Sequence, residues 1–208
     1  MASRKDPTSL MKQRPATGQA QIRLFVCIEI PATIQHRLEH LQVQLRAVDT
    51  PVSWVKSTNI HLTLKFLGNV AESRVTRVVE AVKRTAGRTW PFSINISGTG
   101  CFPSARKPRI LWVGIRNVPD SLSDLHTALE HNLLAEGIPR EVKPFRPHLT
   151  IGRPRSPRNS EQLAGLLAAL DFAPESFAAN EITLMRSDLN PTGSIYTALY
   201  RAGFRAPE

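Results

Sequence analysis

The chain has 208 residues, 41% of them hydrophobic. It holds no apolar run near the roughly 20 residues of a membrane helix, which excludes a helical span. Two cysteines, Cys27 and Cys101, with no Cys-x-x-Cys pairing, exclude a disulfide scaffold and point to a reducing, cytoplasmic setting. A formal net charge of +10 marks a surface that attracts polyanions, nucleic acid first among them.

Residues 1–20 are basic, rich in Pro, Gly, Ser and Gln, and free of periodicity; a disordered basic tail is expected, and no apolar stretch makes it a secretory signal. Ile22–Ile30 predicts a strand ended by Pro31. Ile34, Leu38, Leu41, Leu45 and Val48 share one helical face, and Val52–Val55 is a short extended piece. Asn59–Leu67 predicts a strand stopped by Gly68-Asn69, and Val75, Val78, Val79 and Val82 a second helix. Phe92–Ile96 alternates as a strand, Gly98-Thr99-Gly100 is read as a loop, and Ile110–Ile115 as a further strand. A third helix follows Leu122, Leu125, Leu129 and Leu133, with Asp120 or Ser121 as N-cap and Gly137 and Pro139 as terminators. His148–Gly152 predicts a strand and Leu163, Leu166, Leu167 and Leu170 a fourth helix. Glu181–Met185 and Ile195–Tyr200 are closing strands around a turn at Asn190-Pro191-Thr192-Gly193. Helices interleaved with hairpin-like strand pairs give an α+β protein with antiparallel or mixed sheets.

The chemistry is written twice. His61-Leu62-Thr63-Leu64 and His148-Leu149-Thr150-Ile151 each fall in a predicted strand, one in each half of the chain. Residues i and i+2 of a strand share a face, so each phrase projects one imidazole and one hydroxyl together. Two such strands side by side set two His and two Thr around one cleft. Histidine titrates near neutrality, so the pair supplies an acid and a base, and the hydroxyls can grip a phosphate between them. The phrases are nearly identical, so the residues alone do not say which His is acid and which base. Without a third His, a Cys or a carboxylate in either phrase, a zinc site would need Asp6, Glu29 or Asp188 brought in by the fold. No Gly-x-Ser-x-Gly, dinucleotide loop or phosphate-binding Gly-Lys-Ser/Thr is present. His36, His40, His126 and His131 lie off the apolar stripes of their helices and are read as bystanders, and Lys65 as a polar neighbour on the face of His61 and Thr63. Cations crowd the second phrase: Arg140, Lys143, Arg146, Arg153, Arg155 and Arg158 fall among residues 138–158 against Glu141, and Arg106, Lys107 and Arg109 form a smaller cluster.

With these phrases in place the chain resembles the two-histidine (2H) phosphoesterase superfamily, most closely its RNA 2′,3′-cyclic phosphodiesterase branch, also called 2′-5′ RNA ligase. The resemblance runs over residues 22–204. It includes Arg23-Leu24-Phe25-Val26 with Glu29-Ile30-Pro31, then NIHLTLKFLG at 59–68 and GTGCFP at 98–103. It continues through PRILWVG at 108–114, RPHLTIGR at 146–153 and GSIY at 193–196. It implies a bilobal, pseudo-symmetric α+β fold over residues 21–208, with two antiparallel sheets facing a central cleft and helices outside. It also implies His61 as proton donor to the departing 3′ oxygen, His148 as the base that activates water, and Thr63 and Thr150 on the phosphate. Arg153, five residues after His148, matches the pattern and is expected to contact phosphate or RNA, with a strand-end salt bridge as the alternative. The implied reaction opens RNA 2′,3′-cyclic phosphate ends to 2′-phosphates without a metal or cofactor, in a monomer, with 2′-5′ ligation as its reverse. An RNA-end or nucleotide-binding module, and a phosphodiesterase for small cyclic nucleotides or 2′-5′ oligonucleotides, remain the alternatives.

Overall fold

The computed structural model describes residues 20–191 and 193–206. All but the last residue of the expected basic tail lies outside them, as does Asp6. Nine strands and four helices occur among the described residues. In chain order they are β1 Gln21–Glu29, α1 Ala32–Leu45, β2 Val52–Trp54, β3 His61–Ala71, α2 Val75–Ala86, β4 Phe92–Phe102, β5 Ile110–Ile115, α3 Asp120–Ala135, β6 His148–Pro154, α4 Ser160–Ala169, β7 Glu175–Ala179, β8 Glu181–Asp188 and β9 Ile195–Gly203. The strands form one antiparallel sheet in the order β7-β4-β5-β6-β3-β1-β8-β9, with β2 on β6. The two sheets expected from the sequence are the halves of this sheet. They meet where β3 and β6 pair at one position, Leu62 against Leu149.

Sequence halves and sheet halves do not coincide. β4, from the first half of the chain, lies on the β6 side of the seam, next to β5; β8 and β9, from the second, extend β1 and β3. Helices follow the same exchange: α2 packs on α3, β8 and β9, whereas α1 and α4 pack on each other, on β6 and on β4. The apolar stripes legible in the sequence are what each helix buries. Ile34, Leu38, Leu41 and Leu45 of α1, Val78 and Val82 of α2, Leu122, Leu125, Leu129 and Leu133 of α3, and Leu163 and Leu167 of α4 join one continuous core with Leu62 and Leu149. Truncating either seam leucine to Ala would cost about 2–5 kcal/mol, since both are fully buried. A buried polar clamp adds to the packing: Gln42 of α1 donates from Nε2 to the carbonyls of Val55 and Ile151, both at 2.7 Å.

Two glycines differ from expectation. Gly68 does not stop β3, because its positive φ of 69° lets the chain kink and stay paired as far as Ala71. Gly98, also at φ 69°, sits in a bulge inside β4 rather than in a loop, and the strand continues to Phe102. α3 begins after Pro119 with no side-chain cap, so neither Asp120 nor Ser121 serves as one. β7 is an element the sequence reading lacked. No helix among the described residues is long and apolar enough to cross a membrane.

Candidate active site

The two phrases meet at the seam. Because β3 and β6 are antiparallel and Leu62 opposes Leu149, one step either way sets His61 against Thr150 and Thr63 against His148. The leucines enter the core, so the four polar side chains emerge together on the other face, related by a local twofold through the leucine pair. All four line one cleft of about 420 Å³. The sequence-predicted Arg153 lines it too, and among the described residues it forms no ion pair, so the salt-bridge alternative is not realised.

Each imidazole is tied by the same bond. His61 Nδ1 lies 2.8 Å from the carbonyl oxygen of Asn59, and His148 Nδ1 lies 2.6 Å from that of Arg146, two residues upstream in both cases. A carbonyl only accepts, so Nδ1 carries the hydrogen and Nε2 is left as the working nitrogen. Burial pushes both rings below the ordinary imidazole value, against the partly compensating backbone bonds, and the Arg153 guanidinium pushes both the same way. His61 is held down to about 4. At neutral pH both rings are therefore neutral.

The apolar cover comes from residues to which the sequence reading gave no role. Phe25 stacks on His61 with ring centres 4.7 Å apart, and the Tyr196 ring meets both edge-on. Beneath them Phe25, Cys27 and Met185 form a small buried cluster, and burial pushes the Cys27 thiol up, which leaves it inert. Phe102 meets His148 edge-on at 5.1 Å. Phe66, more than half exposed, and Arg23 complete the walls. The signal for these residues was their place in the segments RLFV, GTGCFP and GSIY. Their roles follow only from the pairing of β1 with β3 and from the β8–β9 hairpin.

Lys65 is a correction. It does not share the face of His61 and Thr63, because the register slips between Val26 and Cys27: Thr63 pairs with Cys27 and Lys65 with Val26. The extra residue, Leu64, turns Lys65 into the interior, where Nζ bonds Glu130 Oε1 at 2.6 Å and the Pro139 carbonyl at 2.9 Å. Glu130 Oε2 in turn accepts the Glu141 N–H. This buried pair fastens β3 to α3 and to the segment leading into β6. His126 is no bystander either: it stacks on Phe145 of that segment at 4.0 Å, with Glu130 3.9 Å away. His36, His40 and His131 are exposed, as expected.

No carboxylate or thiolate lines the cleft. Glu29 is held by Thr183 and Arg201, and Asp188 by Arg186. Among the described residues no group of three or more His, Cys, Asp or Glu gathers.

The sequence pattern described as LigT like phosphoesterase matches the chain twice, over residues 28–112 and 113–196, one copy for each phrase. The RNA 2′,3′-cyclic phosphodiesterase of Methanothermobacter thermautotrophicus is 35% identical over 178 residues, covering 85% of this chain and 96% of that protein. The Thermotoga maritima protein of the same name is 33% identical, covering 88% and 96%. Among solved structures, a Thermus thermophilus protein superposes with a TM-score of 0.74 at 26% identity, over 90% of this chain and all of that one. Escherichia coli LigT complexed with 3′-AMP gives 0.72 at 26% identity, over 89% and 99%.

Proposed function

The chain belongs to the LigT like phosphoesterase family, and from that premise we propose that it hydrolyses RNA 2′,3′-cyclic phosphate ends to 2′-phosphate ends by acid–base catalysis between His61 and His148. The observation that carries this reading is the pair of identically anchored imidazoles on one cleft, each with Nε2 free. The relatives named above as RNA 2′,3′-cyclic phosphodiesterases supply the substrate class.

A cyclic phosphodiester is an anion. Seated between the rings, it offsets the Arg153 charge and favours imidazolium, so substrate binding is coupled to uptake of one proton from solvent. Water attacks phosphorus and gives its proton to His148 Nε2. The bond from phosphorus to the 3′ oxygen breaks, and His61 Nε2 delivers the proton that this oxygen needs. The product carries a 2′-phosphate and a free 3′-hydroxyl, with one water consumed. The more deeply covered imidazolium is the stronger acid, which suits His61 to the alkoxide leaving group and leaves His148 as the base. Thr63 and Thr150 donate to the non-bridging oxygens, and Arg153 balances the charge that builds on them. With a 5′-hydroxyl in place of water the reverse step forms a 2′-5′ linkage. One chain supplies both imidazoles, which supports a monomer as the working unit, and its free thiols suit a reducing compartment.

The test is turnover of an RNA oligonucleotide ending in a 2′,3′-cyclic phosphate, in EDTA, with the product end identified. A 2′-phosphate is expected. A 3′-phosphate would reverse the leaving oxygen. Activity lost in EDTA and restored by zinc would overturn the two-histidine reading.

A further inference from the structure

The local twofold that equates the two imidazoles does not equate the two rims of the cleft. On the His148 side the β4–β5 connection carries Arg106, Lys107 and Arg109, all exposed, with no acidic residue between 103 and 109. It is fastened to the site at both ends: Phe102 abuts the His148 ring and Ile110 lines the cleft. The segment entering β6 adds exposed Lys143 and Arg146, the latter also holding His148 through its carbonyl. The ion pairs of the described residues engage other cations and leave these five free. On the His61 side, residues 189–194 of the β8–β9 connection contain no charged residue. The cations of the two strands it joins, Arg186 of β8 and Arg201 of β9, are neutralised by Asp188 and Glu29. Lys56 is the one cation in the segment entering β3. Besides Lys56 and Arg23 of β1, what this rim exposes is apolar: Phe66 is 57% and Leu189 72% exposed.

Resting on the phosphodiesterase reading above, we propose that the RNA chain behind the reacting end lies along the His148 rim, with its phosphates on Arg106, Lys107, Arg109, Lys143 and Arg146. The protein is then selective for polymer ends over free nucleoside cyclic phosphates. An asymmetric charge track gives the strand one polarity across a site whose catalytic groups are nearly symmetric. Neutralising phosphates releases counterions, so log affinity for a single strand falls with log salt at about −0.7 per phosphate contacted. Three to five contacts predict a loss of about 20- to 100-fold between 50 and 200 mM salt, and one contact about threefold.

The experiment compares kcat/KM for a ten-nucleotide RNA with a 2′,3′-cyclic end and for a nucleoside 2′,3′-cyclic phosphate, across that salt range. It uses the wild type and the triple variant Arg106→Ala/Lys107→Ala/Arg109→Ala. The wild type is expected to favour the oligonucleotide with the steeper salt slope. The variant is expected to lose tenfold or more on the oligonucleotide and about two units of its slope, while turning over the nucleoside substrate normally. That normal rate also certifies the fold. Equal efficiency and equal slope for the two substrates, or an equal loss on both in the variant, would overturn the track and leave the phosphodiesterase reading standing. Absence of turnover by the wild type on both substrates would overturn that reading and the track with it.

Discussion

The surroundings of His61 and His148 differ although their phrases do not. Both rings hang from a carbonyl two residues upstream, but the bond of His61 is partly buried and that of His148 exposed. His61 lies under a stacked Phe25 and the edge of Tyr196, above an apolar cluster that includes Cys27 and Met185. His148 has the edge of Phe102 and, beyond it, a basic rim. Duplication of a motif thus delivers matched geometry, and in the proposed mechanism the division of labour between acid and base falls to residues outside the motif.

The comparison is broken most completely by removing either ring. His61→Gln and His148→Gln are each expected to lower kcat by about 10²- to 10⁴-fold with an unchanged circular dichroism spectrum; a near-normal rate in either would end the acid–base assignment. Next in size is the buried tie between the halves. Lys65→Met leaves Glu130 charged and unpaired in the interior and should cost about 3–5 kcal/mol in denaturant unfolding. The double variant Lys65→Met/Glu130→Leu should recover much of that loss, and equal losses in the two would argue that the pair is not coupled. Arg153→Gln should lower kcat/KM by about 10- to 100-fold through loss of a charge-assisted contact. Because Arg153 depresses both rings, both limbs of the pH profile should also move to higher pH. A shift of one limb alone would place the guanidinium beside one ring only. The smallest change separates the two sides. Phe25→Leu should raise the titration of His61, read by nuclear magnetic resonance, from about 4 toward the ordinary 6.5, and leave His148 where it is. The same shift has a stability side. The fold holds His61 neutral, so this contribution is present in full above pH 6.5 and is lost as pH falls toward 4, and less of it is lost in Phe25→Leu.

Much of this is legible in the order of the amino acids alone. The His-x-Thr phrases reveal themselves because strand periodicity forces i and i+2 onto one face, and the leucine stripes of the helices do so because they are what the helices bury. What escaped were deviations from the period. Lys65 changes face because one bulged residue shifts every side chain after it, and nothing in the local sequence marks Leu64 as that residue. Gly98 looks like a turn because the residue that permits a loop also permits a bulge. β7, Glu-Ser-Phe-Ala-Ala, lacks a β-branched run and exists as an edge strand through its ladder with β4. Phe25, Phe102 and Tyr196 reach the imidazoles from distant segments, so their roles depend on strand order.

The exchange of strands between sheet halves also bears on what a growing or truncated chain can do. A polypeptide halted after β5 already owns His61, but β5 then presents an open edge and β3 lacks the neighbour that completes the cleft. Only the last third of the chain brings β6 with the second imidazole, and β8 and β9 to cover the first. The two-histidine cleft thus comes into being only once β6 and the β8–β9 hairpin have joined β1 to β5, and a fragment that ends before β6 lacks it. Under the proposed reaction, turnover would report a chain folded through β9.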